Sequence, residues 1–358
     1  MMGRRTGLRT FRLPGAGNGG RRMVRRYVVR TAVACTLAAL AASCGSADDD
    51  AEPPAVTGDT AASGAAGDMG EPAGDIAQTQ IDVGDFTFDV RTAGPDDGEV
   101  VILLHGFPQT SYEWRHQIRA LAESGFRVVA PDQRGYSPGA RPPEIEDYAL
   151  PLLVGDMLGL ADATGADRFH IVGHDWGAVV AWAMAVAAPD RVITANPVSV
   201  PHPDAFAAVL SDPESCQVEA SAYFDIFVQP DSEDAFLAAD SAGLRAIFAG
   251  IDDEAVEEYI RVLGSKAALG AALNWYRANV ADRNLQGPAA GNVTVPTMFT
   301  WSDGDTALCI DGAVLTEQYV DGPYRFEVLE GVNHWIPDLA PEAMSSLLVE
   351  HITQYSER

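Results

Sequence analysis

The sequence predicts an α/β protein in which a mostly parallel sheet has helices on both faces. From residue 79 onward, short apolar segments alternate with segments of helical periodicity. This alternation stops over residues 201–287, which have only helical periodicity, and then returns. Buried apolar strands separated by helices are typical of parallel sheets. A helical insertion in such a core is typical of a lid that covers a site at the strand ends.

The first half of the predicted core runs over residues 77–200. It opens with two strands, Ile81–Val83 and Phe86–Arg91, which a turn at Gly84-Asp85 makes antiparallel. The continuous apolar run Glu99–Leu104 predicts a buried strand. The following elements alternate in type: a helix over Tyr112–Glu123, a strand over Arg127–Ala130, a helix over Leu152–Thr164, a strand over Phe169–Val172, a helix over Ala178–Ala188 and a strand over Val192–Asn196.

The insertion and the second half of the core follow. The insertion, residues 201–287, predicts four helices: Ala220–Phe227, Glu233–Ala239, Asp253–Leu263 and Leu269–Ala281. The core resumes over residues 288–358 with strands at Thr297–Trp301 and Tyr324–Leu329, and a last helix begins at Pro341.

Residues 1–43 predict an export signal. All nine charged residues in this segment are arginines, and an apolar stretch too short to span a bilayer follows them. Met23 is an alternative start that would open a signal of ordinary length. The segment ends at Cys44 in a pattern that resembles a bacterial lipobox, although Ala41 stands where leucine is commoner. We therefore expect a lipidated cysteine and a cell-envelope lipoprotein; ordinary signal cleavage without a lipid is the alternative.

The segment from Cys44 to residue 76 predicts a disordered linker, because after the cysteine it consists mainly of small and acidic residues and has no aromatic. The rest of the chain is strongly acidic. The formal net charge is −27, and without the arginine-rich leader 15 basic residues face 51 acidic ones. Such a surface repels phosphate backbones, so nucleic acid is excluded as a partner. The seven histidines show no metal-ligand spacing, and no cofactor is predicted.

The segment Gly173-His174-Asp175-Trp176-Gly177 has the spacing of a nucleophile elbow, in which two glycines flank a sharp turn. It follows a predicted strand and precedes a predicted helix, as this motif requires. The nucleophile position holds Asp175. A purely structural aspartate at the start of a helix is the alternative interpretation.

A candidate base follows the last predicted strand, where the chain reads Gly331–Trp335 and contains His334. Asp305 follows the preceding strand, so both side chains are expected at the same edge of the sheet. A carboxylate there can accept a hydrogen bond from the imidazole and orient it. Asp303, two residues earlier, is a competitor for this role.

The chain from about residue 79 to 355 resembles the α/β-hydrolase fold and, within it, the epoxide hydrolases. Each matching segment alone is weakly specific, but their occurrence in order over nearly the whole folded part is strongly specific. The segments are His105–Pro108, Asp132–Tyr136, Gly173–Gly177, Leu273–Arg277 and Gly331–Trp335.

The resemblance implies a covalent mechanism on a small apolar epoxide. Asp175 would attack an epoxide carbon and form an ester, and His334, backed by Asp305, would activate water to hydrolyse it. Two tyrosines of the insertion, Tyr223 and Tyr276, would donate to the epoxide oxygen. Tyr223 stands in a slightly divergent motif, because the chain reads Phe-Val-Gln-Pro where the family usually has Phe-Gln-x-Pro.

The resemblance also implies that the backbone N–H groups of Phe107 and Trp176 form an oxyanion hole, and that the Phe107–Pro108 peptide bond is cis. The prediction further assigns four residues to the substrate pocket: His105, Pro108, Trp275 and Trp335.

Several alternatives remain open from the sequence. A dehalogenase has the same fold and nucleophile, but haloalkane dehalogenases usually carry asparagine in place of Phe107 and lack the paired tyrosines. Haloacetate dehalogenases usually carry arginine and histidine in place of Trp176 and Tyr223. A ligand-binding lipoprotein without activity is a further alternative. Cys216 and Cys309 form either a disulfide or two free thiols, and the oligomeric state is open.

Overall fold

The computed structural model describes residues 75–280 and 291–357. The described part begins with the hairpin of β1 and β2 and then alternates strands and helices as far as β6. The elements of this half are β1 (Ala77–Val83), β2 (Phe86–Ala93), β3 (Val100–Leu104), α1 (Arg115–Glu123), β4 (Arg127–Pro131), α2 (Leu150–Ala163), β5 (Phe169–His174), α3 (Trp176–Ala187) and β6 (Val192–Val198).

In residues 199–280, the described stretch after β6, there are six helices. They are α4 (Pro203–Leu210), α5 (Cys216–Ala220), α6 (Phe224–Phe227), α7 (Ser232–Ile247), α8 (Asp253–Leu263) and α9 (Lys266–Asn279). Residues 201–280 contain no strand. The core then resumes with β7 (Thr297–Ser302), α10 (Ile310–Leu315), β8 (Tyr324–Leu329), α11 (Ile336–Leu339) and α12 (Pro341–Gln354).

The strands form one eight-stranded sheet in the order β1-β2-β4-β3-β5-β6-β7-β8. Strand β2 runs antiparallel to β1 and β4, and all other neighbours are parallel. The predicted fold class is therefore confirmed. Parallel strands end at the same edge of a sheet, so the segments that follow β3, β5, β7 and β8 converge there.

The central strands are buried along their whole length, and β3 is entirely apolar, which is why its sequence lacks alternation. All five residues of β3 and all six of β5 are buried, and Leu104 pairs with Gly173 at the carboxyl ends of these strands. The sheet is thus covered on both faces, as a central parallel sheet requires. None of the helices in the two described stretches is long and apolar enough to cross a membrane.

The insertion differs in detail from the prediction. Of the helix expected over Ala220–Phe227, the part that is helical is α6, Phe224–Phe227; the preceding helix α5 ends at Ala220, and a turn separates the two. The helix expected over Glu233–Ala239 extends to Ile247, with a kink at residues 238–241 where three residues have positive φ. Helix α4 in the insertion and helices α10 and α11 in the core are additional. Tertiary contacts decide the break before α6, because the Gln217 side chain bonds the backbone of Ala307 and Cys309 in the core.

Candidate active site

Asp175 lies at the turn between β5 and α3. Its backbone has φ 50° and ψ −119°, a conformation that a non-glycine residue rarely adopts. The two flanking glycines make the turn possible. A Cβ on Gly173 would lie 2.0 Å from the Gly177 carbonyl oxygen, and one on Gly177 would lie 2.1 Å from that of Leu104. Although Asp175 precedes α3, its side chain does not cap the helix and is free for other contacts.

The two carboxylate oxygens of Asp175 have different partners. Oδ1 accepts a hydrogen bond of 2.9 Å from the backbone N–H of Phe107, and Oδ2 lies 3.5 Å from His334 Nε2. Burial alone would raise the pKa of Asp175, but the hydrogen bond and charge of His334 and the Phe107 amide lower it. The residue is therefore a carboxylate at neutral pH.

Asp305 holds the other side of the His334 ring. Its Oδ2 lies 2.8 Å from His334 Nδ1, while its Oδ1 accepts from the backbone N–H groups of Ala307 and Leu308. The competing residue, Asp303, instead accepts from the backbone N–H of Gly331. The loops after β7 and β8 thus place Asp305, and not Asp303, against the imidazole.

His334 lies between two carboxylates. Burial lowers its pKa, but the charge of Asp305 and hydrogen bonds to Asp175 and Asp305 outweigh this effect and raise the pKa to about 10. The resting site therefore holds an imidazolium with Asp175 on one side and Asp305 on the other. The ring keeps its orientation because each nitrogen faces a fixed acceptor.

Tyr223 and Tyr276 come from the insertion, just before α6 and near the end of α9. Their ring centroids are 6.3 Å apart, and the Tyr276 ring also packs edge-on against Trp176 at 5.1 Å. Burial, followed by the negative charge of Asp175, raises the pKa of both phenols well above the ordinary value. Both are therefore neutral hydrogen-bond donors at neutral pH.

Asp175 and the two tyrosines line one cavity of about 630 Å³. Most of its wall is apolar, with side chains from α2, α3, α4 and α9. Such a volume and lining are usual for a site that takes a small apolar molecule. The other lining residues are Leu150, Pro151, Val154, Trp176, Val179, Ala183, Val186, Ala187, Val200, Pro203, Asp204, Phe206, Ala207, Phe224, Asn279, Val280 and Leu308.

The four residues predicted for the substrate pocket, His105, Pro108, Trp275 and Trp335, are not on the wall of this cavity, and their place in the pocket stays a prediction. The polar groups of two of them are used elsewhere. His105 bonds the Gly106 carbonyl and the backbone N–H of Gln133, and the Trp275 indole donates to the Arg134 carbonyl. Trp335 packs edge-on against the His334 ring at 4.9 Å. Pro108 is buried and follows a cis peptide bond, as the resemblance implies.

Behind His334 lies a buried pair, His174 and Glu113, that the sequence did not predict. His174 Nε2 lies 2.9 Å from the His334 carbonyl, an acceptor, so Nε2 carries the proton. Burial lowers the pKa of His174 to about 3, so the imidazole is neutral and its Nδ1 is an acceptor. This nitrogen lies 3.1 Å from Glu113 Oε2. Burial raises the pKa of Glu113 well above its ordinary value, so this carboxyl is protonated and donates. The pair is neutral and anchors the backbone of His334.

Cys216 and Cys309 are adjacent, with their sulfur atoms at bonding distance and their Cα atoms 6.2 Å apart. Cys216 begins α5 in the insertion, and Cys309 precedes α10 in the core. This contact joins the segment that carries Tyr223 to the loop that carries Asp305.

Comparison with known proteins identifies the family of this chain. The alpha/beta hydrolase fold matches residues 99–341. Epoxide hydrolase A of Mycobacterium tuberculosis is 33% identical over 324 residues, covering 80% of this chain and 98% of the relative. A structure described as a novel epoxide hydrolase from metagenomes of hot environments has a TM-score of 0.69 and 31% identity, covering 78% and 99% of the two chains. Epoxide Hydrolase A from Mycobacterium thermoresistibile has a TM-score of 0.69 and 28% identity, covering 79% and 100%.

The match to the alpha/beta hydrolase fold includes Asp175, His334 and Asp305, and these relatives are matched over nearly their whole length. The resemblance predicted from five short segments is thus confirmed at the level of the family, whereas the individual residue roles stay predictions. The chain belongs to the epoxide hydrolases of the alpha/beta hydrolase fold.

Proposed function

We propose that the chain hydrolyses an apolar epoxide to a vicinal diol through a covalent ester on Asp175. One observation carries this proposal: a single apolar cavity holds an ionised Asp175 and two neutral phenols, Tyr223 and Tyr276. A carboxylate attacks carbon without needing a base, and a phenol can give a proton to an oxygen that leaves. The related proteins named epoxide hydrolases support the same reaction.

In the first step, Asp175 Oδ2 bonds to an epoxide carbon and the bond between that carbon and the ring oxygen breaks. The electron pair stays on the oxygen, which takes a proton from Tyr223 or Tyr276. Oδ1, held by the Phe107 amide, becomes the carbonyl oxygen of the ester. The ester is neutral, so one of the two carboxylates that raise the pKa of His334 is lost, and the imidazolium gives its proton through solvent to the tyrosinate.

In the second step, His334 takes a proton from water while the water oxygen bonds to the ester carbonyl carbon. The negative charge develops on Oδ1, where the Phe107 N–H already donates. Trp176 opens α3, so its N–H belongs to the first turn, whose donors have no acceptor within the helix. The bond between the Asp175 carboxyl carbon and Oδ2 breaks, and Oδ2 takes the remaining proton of the added water as the diol leaves. Asp175 is then again a carboxylate beside a protonated His334.

The experiment that tests this function compares an epoxide with a haloalkane. The purified protein is incubated with styrene oxide or with 1-bromobutane, and diol and bromide are measured side by side. We expect diol from the first substrate and little bromide from the second, because two phenols suit an alkoxide that needs a proton. Bromide release without diol formation would favour the dehalogenase and contradict the proposal.

We further propose that the protein is an exported cell-envelope lipoprotein anchored through Cys44, although this segment lies outside the described residues. The basic leader and the lipobox-like sequence support this localisation. The adjacency of Cys216 and Cys309 supports it too, since disulfides persist in oxidising compartments. Membrane fractions from cells that make the protein or its C44A variant test it. Recovery of both proteins in the soluble fraction, with no lipid on Cys44 by mass spectrometry, would contradict the anchor.

A further inference from the structure

The cavity runs along one face of α3 and away from Asp175. Five residues of this helix line it at successive turns: Trp176, Val179, Ala183, Val186 and Ala187. Since α3 rises by 1.5 Å per residue, this wall extends about 16 Å from the nucleophile. Exposure to solvent increases in the same direction, because Trp176 is buried, Val179, Ala183 and Val186 are intermediate, and Ala187 is exposed. The cavity therefore has a closed end at Asp175 and an open end near Ala187.

The open end is mostly apolar as well, although Asp204 of α4 also lines the cavity, where its carboxylate accepts a hydrogen bond from the backbone N–H of Gly291. The exposed residues Pro151 of α2 and Ala207 of α4 lie on the same cavity wall as Ala187. Asn279 also contributes to the wall, but its amide is bonded to the backbone of Tyr148, Leu150 and Trp275. Its polar groups are therefore used by the protein. A long part of this wall thus offers apolar contact to a bound molecule.

The closed end has no comparable room. Three phenylalanines outside the cavity wall pack in a row from this end: Phe107, whose amide bonds Asp175, then Phe227 and then Phe236. Their rings pack edge to face, with centroids 5.2 Å apart between Phe107 and Phe227 and 5.4 Å between Phe227 and Phe236. The Tyr276 ring packs against both Phe107 and Phe227. The longest apolar stretch open to a substituent of an epoxide at Asp175 is therefore the α3 face that leads to Ala187.

We propose that the substrates are terminal epoxides with one long apolar tail, which lies along α3 from Trp176 to Ala187. This inference rests on the proposed epoxide hydrolysis and specifies its substrate. The epoxide enters first and reaches Asp175 and the two tyrosines, while the tail lies in the cavity along the α3 wall. A tail of roughly ten carbons matches the length of this helix face. Val179, Ala183 and Ala187 are then residues that determine substrate length.

The test on the unchanged protein measures kcat/KM for 1,2-epoxybutane, 1,2-epoxyhexane, 1,2-epoxydecane and 1,2-epoxydodecane. We expect kcat/KM to rise by about threefold per added methylene group until the tail reaches the open end. Each such group is transferred from water to the apolar cavity wall, which strengthens binding. An internal epoxide of equal size, 6,7-epoxydodecane, supplies the second comparison. It should react at least about tenfold more slowly than 1,2-epoxydodecane, because one arm meets the packed phenylalanines.

Two variants place a phenylalanine at different depths. A183F narrows the cavity about 10 Å from Trp176 and A187F narrows it near the open end. We expect A183F to reduce the ratio of kcat/KM for 1,2-epoxydecane to that for 1,2-epoxyhexane by about tenfold or more. A187F should reduce only the ratio of 1,2-epoxydodecane to 1,2-epoxydecane. A208F is the matched control, since Ala208 is exposed on α4 beside Ala207 but does not line the cavity. It should keep the wild-type length profile.

The outcomes separate the two proposals. If the unchanged protein hydrolyses none of the epoxides, the proposed function itself is wrong. If it hydrolyses 1,2-epoxybutane but kcat/KM is flat with chain length, or the internal epoxide reacts as fast as its terminal isomer, only the tail proposal is wrong. The same holds if A187F and A208F give the same profile. A187F keeps the variant test valid if A183F fails to fold, because Ala187 is exposed.

Discussion

The two halves of the active site are built differently. Asp175, His334 and Asp305 follow strands of the core, and hydrogen bonds of 2.8 and 2.9 Å to fixed groups hold them. Tyr223 and Tyr276 come from the helical insertion and lie among aromatic rings about 5 to 6 Å away. Backbone turns therefore set the nucleophile and base, whereas side-chain packing sets the proton donors. This difference predicts that changes in the core stop the reaction, while changes in the insertion slow its first step or change the substrate.

The largest effect is expected at the nucleophile. D175A removes the oxygen that forms the ester, so turnover should fall by at least about 10⁴-fold. Diol formation measures this effect, and circular dichroism checks that the turn still folds, because alanine is also strained at φ 50°. A folded D175A protein that retained more than a few per cent of the activity would show that Asp175 is not the nucleophile.

The next effect separates the two steps within the core half. H334Q removes the base, and we expect kcat to fall by about 10³-fold while Asp175 is still alkylated. The ester should accumulate, and mass spectrometry of the intact protein should detect the mass of one added epoxide. Rapid hydrolysis of that adduct in H334Q would contradict the role of His334 as the base.

The insertion half is tested by removing the phenol oxygens. Y223F and Y276F should each slow formation of the ester by about tenfold to a hundredfold, and the double variant should slow it further. Hydrolysis of an ester already formed should change little, which is the contrast with H334Q. Y259F is the control, since Tyr259 belongs to the same insertion but bonds Asp338 and does not line the cavity. Equal slowing by Y259F would mean that the loss comes from general disruption of the insertion.

A smaller effect is expected from pH, because the two steps need different charge states. Asp175 has a lowered pKa and stays ionised in mild acid, so ester formation continues. Ester hydrolysis needs a neutral His334, and acid protonates it. The wild-type protein should therefore accumulate more ester at about pH 5 than at about pH 8. Rapid quenching and mass spectrometry at both pH values measure this fraction; less ester at the lower pH would contradict the assignment.

The smallest expected effect concerns the contact between the two halves. If Cys216 and Cys309 are bridged, the double variant C216S/C309S should lose about 2 kcal/mol of unfolding free energy. The rate of ester formation should fall more than the rate of ester hydrolysis, because Cys216 belongs to the segment that leads to Tyr223. Urea denaturation with and without reductant measures the loss. A wild-type protein insensitive to reductant, and equal in stability to the variant, would exclude the bridge.

The same division explains what the sequence could predict. Asp175 sits in a short pattern whose strand, glycines and helix are all visible locally, so its place at the sheet edge was predictable. The boundaries of β8 and α8 were also predicted, since Tyr324–Leu329 and Asp253–Leu263 have clear local periodicity. Helix α4 was not predicted, because its apolar residues face a cavity formed by distant segments.

Two further features depend on tertiary contacts. Trp275, which the prediction assigned to the pocket, follows Asn274 and precedes Tyr276 on α9, where neighbouring residues face different directions, and its indole bonds the Arg134 carbonyl. Glu113 looked like an ordinary polar residue at the start of a helix. Its protonation results from burial against His174, which no local pattern encodes.

The hydrogen bond from the Phe107 amide to Oδ1 of Asp175 makes the two carboxylate oxygens distinguishable by isotope labelling. Oδ2 forms the ester and leaves in the diol, and the oxygen of water replaces it beside His334. In water labelled with oxygen-18, the first turnover should therefore give unlabelled diol and a labelled Asp175. If the Phe107 amide stops the carboxylate from rotating, nearly all diol from the second turnover carries the label; a freely rotating carboxylate would label only about half.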